Sequence, residues 1–181
     1  MTYQTEVERI TKFIEEASKY STLNISEEFI DWLRENGFFT KPAAIKHHGN
    51  YSGGLFDHSL AVAQSLCTLT KALNLKWQNQ RSPFIIGMFH DLCKLEDYTR
   101  TTDVAGWAYN NDKILSGHGD KSIIMLSQFL TLTEEEILGI RFHMGAYQTD
   151  DWTAYDKAMK KYETVLWAHT ADMYAAKILN K

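Results

Sequence analysis

The stretch MFHDLCKLED, Met88 to Asp97, closes an apolar run (Phe84, Ile85, Ile86, Met88, Phe89) on an adjacent histidine and aspartate, His90 and Asp91. Ile86 precedes His90 by one helical turn, so His90 faces inward, and Asp91 is rotated about 100° from it. A carboxylate in such a place needs cations or donors close by, because burying it unpaired is costly. Two neighbouring side chains can share a metal ion lying over the edge between them, and the second Asp oxygen can then reach another ion. A His–Asp dipeptide is too short to carry that reading alone. Its partners decide it.

Four further residues stand out. His58 lies between Leu55 and Val62 at helical spacing, on an apolar face where a neutral imidazole must find a partner. Asp172 interrupts the apolar helix VLWAHTADMYAAKIL, one turn from Ala168 and one from Ala176, on a small-residue side that another helix can approach closely. His118 sits in SGHGDKS at a predicted helix start, and His143 ends EEEILGIRFHMG. Each of these has an ordinary structural explanation: a core histidine on a carbonyl, or an acid at a helix edge. In order, His58, His90–Asp91, His118, His143 and Asp172 recur at intervals of 25 to 32 residues. That spacing puts each ligand on a different helix or helix end, and helix-bundle cores are known places for such metal sites.

The rest of the chain predicts a nearly all-α domain with one small irregular insert. Residues 3–20 carry Val7, Ile10, Phe13, Ile14 and Ala17 at helical spacing. Ser26 caps a second helix with an inner side of Phe29, Ile30 and Leu33, and Gly37 stops it. Further helices are predicted over 54–73, from Ser82 with Pro83 in its first turn, over about 119–130, from the Thr133 cap, and over 151–160 and 162–179. Residues 96–115 mix β-branched and aromatic residues with Gly and NND, which predicts a hairpin or structured loop. With neither a repeat nor a low-complexity tract, the 181 residues read as one domain, 1–40 supplying N-terminal helices and 41–180 a metal-binding helical core.

A net charge of -4 argues against a broad basic surface for duplex nucleic acid. Two cysteines, Cys67 and Cys93, are too few for a disulfide framework and point to a reduced, cytoplasmic setting. The polar N-terminal stretch does not read as a signal peptide, and no apolar run approaches the roughly 20 residues that span a membrane.

With these residues in that order, the sequence resembles the HD-domain superfamily of metal-dependent phosphohydrolases. The family signature is a His, a His–Asp pair and a distal Asp, here His58, His90, Asp91 and Asp172; its two-metal branch adds two histidines between the pair and the last Asp, where His118 and His143 fall. The segment KPAAIKHHGNYSGGLFDHSL, Lys41 to Leu60, is similar to the entry segment of the HD domain in a bacterial 3'-to-5' exoribonuclease, and WAHTADMYAA is similar to that group's last ligand helix. Two departures are visible. The family's HDIGK is HDLCK here, with Cys93 in place of Gly, and the chain has no room for the OB-type module those exoribonucleases carry.

The resemblance implies one or two divalent transition ions. The His and carboxylate donors suit Mn²⁺, Fe, Co²⁺, Ni²⁺ or catalytic Zn²⁺ rather than a Cys-rich structural zinc site. In the two-metal version Asp91 bridges the ions. His58, His90 and Asp172 hold the first, His118 and His143 the second, and a hydroxide between them attacks phosphorus. Lys94, three residues after Asp91, is the expected catalytic helper, as a donor to phosphate or to Asp91. His48, Lys121 and Arg141 are candidate phosphate contacts, and Tyr147, Trp152 and Tyr155 either stack on a base or close the core. The implied substrate is a phosphorylated small molecule, a nucleotide or a short single-stranded nucleic acid. A di-iron oxygenase and a non-catalytic nucleotide-sensing module are the alternatives.

Overall fold

The computed structural model describes residues 3–46, 49–102, 106–145 and 151–181. The elements run α1 (Glu6–Ala17), α2 (Glu27–Glu35), α3 (Gly54–Leu73), α4 (Ser82–Phe89), α5 (Lys94–Asp97), β1 (Tyr98–Arg100), β2 (Trp107–Tyr109), α6 (His118–Leu126), α7 (Glu134–Arg141), α8 (Trp152–Lys161) and α9 (Thr164–Lys177). The fold is all-α apart from β1 and β2, an antiparallel hairpin that pairs Tyr98 with Tyr109 and Arg100 with Trp107. No described helix is long and apolar enough to cross a membrane.

Local chemistry sets the helix ends. Thr5 and Glu8 form a reciprocal capping box on α1, and Thr133 and Glu136 do the same on α7. Helix α2 ends in a Schellman motif. Gly37 takes a left-handed φ of 85°, its N–H donates to the Arg34 carbonyl, and the Phe38 N–H donates to that of Leu33.

Helix α3 is the central rod, lying along α4 and α9. Its approach to α4 depends on Gly87, where an added Cβ would sit 2.4 Å from the Ala63 backbone. With two backbones this close, His58 on α3 and His90 at the end of α4 reach the same point. Aromatic packing then ties the N-terminal helices to this core: Phe13 of α1 meets Phe84 and Phe89 of α4, and Phe29 of α2 stacks on Phe129 at 4.6 Å. One continuous cluster of buried side chains runs from Phe13 through Leu55, Ile86 and Ile140 to Ala171. A smaller one, Phe142, Tyr155, Ala158 and Val165, seats α8.

The inner face of α1 differs from the apolar spacing. Val7 and Ile14 face solvent, and the buried residues are Arg9, Phe13 and Ala17. Arg9 is inside because Asp57 accepts from its Nε at 3.1 Å and the carbonyls of Tyr3 and Ser52 accept from its Nη2. A buried guanidinium with three acceptors is tolerated where an unpaired one is not. The same holds at the start of α7, where the EEE run is more than a set of first-turn charges. Glu136 is fully buried, accepting from the Arg81 guanidinium and the Ser82 hydroxyl, and Glu135 accepts from the Gln78 backbone N–H and the Thr164 hydroxyl. These bonds join the N-terminal ends of α4, α7 and α9.

Candidate metal centre

His58, in the second turn of α3, and His90, the C-cap of α4, bring their Nε2 atoms to 3.2 Å. Asp172 of α9 places Oδ1 3.1 Å from His58 Nε2 and 3.8 Å from His90 Nε2. The chain leaves α4 after His90 and turns, so Asp91 extends beyond the helix end into the space between the other helices. Its Oδ2 lies 3.4 Å from His90 Nε2 and 3.7 Å from His58 Nε2. Its Oδ1 faces the other way, 2.6 Å from Nε2 of His118, the first residue of α6, and 3.6 Å from Nε2 of His143, just past α7. The structure thus brings all six expected ligand residues together, with one carboxylate set between two groups of imidazoles.

The ring orientations follow from the opposite nitrogen. Nδ1 of His90 lies 2.9 Å from the Gly87 carbonyl, that of His143 2.6 Å from the Ile140 carbonyl, and that of His58 3.1 Å from the main-chain oxygen of Lys181. These oxygens can only accept, so Nδ1 donates in each case and Nε2 is the nitrogen turned towards the neighbouring side chains. This arrangement fixes tautomer and ring angle in metal-binding histidines. His118 is held differently, with Nδ1 3.3 Å from Cys93 Sγ.

This cluster is not self-sufficient as a hydrogen-bonded network. Asp91 Oδ1 and His143 Nε2 are buried without a hydrogen-bond partner among the described residues. His118 Nε2 lies 2.6 Å from Asp91 Oδ1 yet is misaligned for a hydrogen bond. Acceptor lone pairs converging in a dry space are costly unless a cation sits among them. His58, His90 and Asp172 offer three atoms within 4.8 Å of one another, as do His90, Asp91 and His143. The donor chemistry and the orphaned atoms both fit a divalent ion.

The charges are arranged to keep the carboxylates ionised. Burial opposes ionisation of Asp91, but Lys94, His90 and His118 outweigh it and hold its pKa well below the usual range. Burial likewise opposes Asp172, and His58 and His90 hold its pKa down. Lys94 Nζ is 2.6 Å from Asp91 Oδ2, and despite burial the carboxylate raises its pKa, so it stays charged. For His118, burial is outweighed by Asp91 and Cys93, which push its pKa up to about 10. Burial lowers that of His143, which stays neutral.

The expected phosphate contacts are not brought into the cluster in this way. Lys121 is buried and its ammonium pairs with Glu96 at 2.9 Å and Asp97 at 3.3 Å. Arg141 is half exposed and pairs with Asp120. His48 and Tyr147 lie outside the described residues. Tyr155 is buried in the α8 cluster, whereas Trp152 is exposed at the start of that helix. One residue adjoining the site was passed over in the sequence: Nδ1 of His169 lies 2.7 Å from the His143 carbonyl and holds that backbone against α9. Its position one turn before Asp172 was the available signal.

Comparison of the chain with protein-family models, with curated proteins and with solved structures finds no match.

Proposed function

We propose that the protein is a metal-dependent phosphohydrolase of the HD type, acting on a nucleotide or a short single-stranded nucleic acid. The observation that supports this most is the split carboxylate: Asp91 turns Oδ2 to His58 and His90 and Oδ1 to His118 and His143. These residues would hold one or two divalent ions, which would supply Lewis acidity to a phosphoryl group and lower the pKa of water. The protein's own residues do the remaining work. The four imidazoles would supply ring-nitrogen donors, Asp91 and Asp172 carry the negative charge, and Lys94 stays protonated beside Asp91 Oδ2. Its ammonium is placed to offset charge that builds up at this end of the cluster. With Lys121 and Arg141 engaged by carboxylates, phosphate recognition rests chiefly on the cluster. The partly open edge, where the side chains of His118 and Asp172 are 18% and 12% exposed, is its approach.

The test is elemental analysis of the purified protein, then a phosphoesterase screen with the metal found, against nucleotides, dinucleotides and short RNA and DNA. Asp91→Ala should abolish hydrolysis in a protein that still folds. Unchanged turnover in that variant would overturn the proposal, and metal-dependent oxygen consumption without phosphate release would replace it with the oxygenase.

A further inference from the structure

Three of the four imidazoles are oriented by main-chain oxygens, which no side-chain substitution removes. The fourth, His118, is oriented by a side chain. Cys93 is fully buried, and its sulfur lies 3.3 Å from His118 Nδ1. A second link closes the loop: the Cys93 N–H donates to Ser122 Oγ at 3.0 Å, and that hydroxyl donates to the His118 carbonyl at 3.1 Å. Residue 93 is thus tied to the first turn of α6 through both its backbone and its side chain. On the far side of the ring, Nε2 lies 2.6 Å from Asp91 Oδ1, one of the buried atoms left without a hydrogen bond.

We propose that Cys93 is the positioning residue of His118. Its sulfur accepts the Nδ1 proton, which selects the tautomer with a free Nε2 lone pair and turns that nitrogen towards Asp91 Oδ1 as a ligand of the second ion. The inference rests on the two-ion reading above. It also gives the Cys at this position, where the resembled family carries Gly, a function a glycine cannot perform. Sulfur is a weak acceptor, so His118 is the most loosely held of the four imidazoles. The second half-site, His118 with His143, is therefore the one whose occupancy depends on a single replaceable atom. Ring orientation by an outer partner typically accounts for roughly 10- to 100-fold in metal affinity.

The experiment titrates Mn²⁺ into metal-free wild type, Cys93→Ala and Cys93→Ser by calorimetry, with folding checked by circular dichroism. Wild type should take up two ions. Cys93→Ala should keep the first with unchanged affinity and bind the second roughly 10- to 100-fold more weakly. Cys93→Ser, whose hydroxyl also accepts, should recover part of that loss. Ring-nitrogen NMR of the Zn²⁺-loaded wild type gives a readout that needs no variant: His118 should be protonated at Nδ1 and metal-bound at Nε2. Two-ion binding by wild type with an unaltered second site in Cys93→Ala would overturn the role of Cys93 alone. So would equal weakening of both sites, or a His118 bound through Nδ1. A wild type that cannot bind two ions would remove the two-ion reading itself and this inference with it.

Discussion

If the proposed second ion binds, its loading should displace a proton. His118 is held near pKa 10 by Asp91 and Cys93, so in the metal-free protein at neutral pH it is an imidazolium, which cannot coordinate. Raising its pKa has a definite sign for stability. The His118–Asp91 attraction contributes fully to metal-free stability below the ordinary histidine pKa of about 6.5 and is lost as pH rises through about 10. Metal binding runs the opposite way. Freeing Nε2 at pH 7 costs about 3 pH units, or about 4 kcal/mol. The second-ion affinity should therefore climb tenfold per pH unit, about 30-fold between about pH 7 and about pH 8.5. Burial keeps His143 neutral, so it adds no proton of its own. The assay is Mn²⁺ calorimetry across that range in two buffers of different ionisation enthalpy, which counts protons released. His118→Gln is the control that subtracts any proton lost by water on the metal. A second-ion affinity independent of pH, or equal proton release by wild type and the control, would refute the reasoning.

Other perturbations follow from the packing and the charges. Arg81→Ala leaves Glu136 buried without its cation and should cost about 3–5 kcal/mol, read from the urea midpoint. Gly87→Ala drives a methyl into the Ala63 backbone, so it should lower stability by about 1–3 kcal/mol and move His90 off His58. Thermal melting and first-ion affinity should fall together in that variant, and a fall in only one would separate packing from ligand geometry. Lys94→Met removes the ammonium that competes with a metal for Asp91 Oδ2. The first ion should bind at least as tightly while turnover drops, on the order of 100-fold. A variant with full turnover would leave Lys94 a purely structural counter-ion.

The helices and the six side chains that converge were legible in the sequence because both leave local signals. The 3.6-residue spacing marked α3 and α9, caps marked α2 and α7, and the even intervals spread the candidate residues over five helices or helix ends, with His90 and Asp91 sharing one. What stayed hidden depends on partners far along the chain. Arg9 reads as a surface residue until Asp57, 48 residues away, is folded against it. Glu136 reads as a capping-box acid, and it is one, but its burial depends on Arg81, 55 residues before it. Lys121 reads as a phosphate contact for the same reason, since its pairing with Glu96 and Asp97 is visible only when α6 lies beside α5. Val7 and Ile14 follow the helical period, yet they lie off the inner face, which Arg9 shares with Phe13 and Ala17.

The buried bonds joining the starts of α4, α7 and α9 have a mechanical consequence at the other end of those helices. Ser82 to His90, Glu135 to His143 and Thr164 to Asp172 are each eight residues apart, about 12 Å of helical rise. Each segment is a lever pivoted on the glutamates and loaded at its ligand. A tilt of about 5° at the pivot swings the ligand through about 1 Å over such an arm, several times the roughly 0.2 Å latitude of a metal–ligand bond. Glu135 and Glu136 touch none of the six candidate ligands, yet they set the precision with which His90, His143 and Asp172 meet.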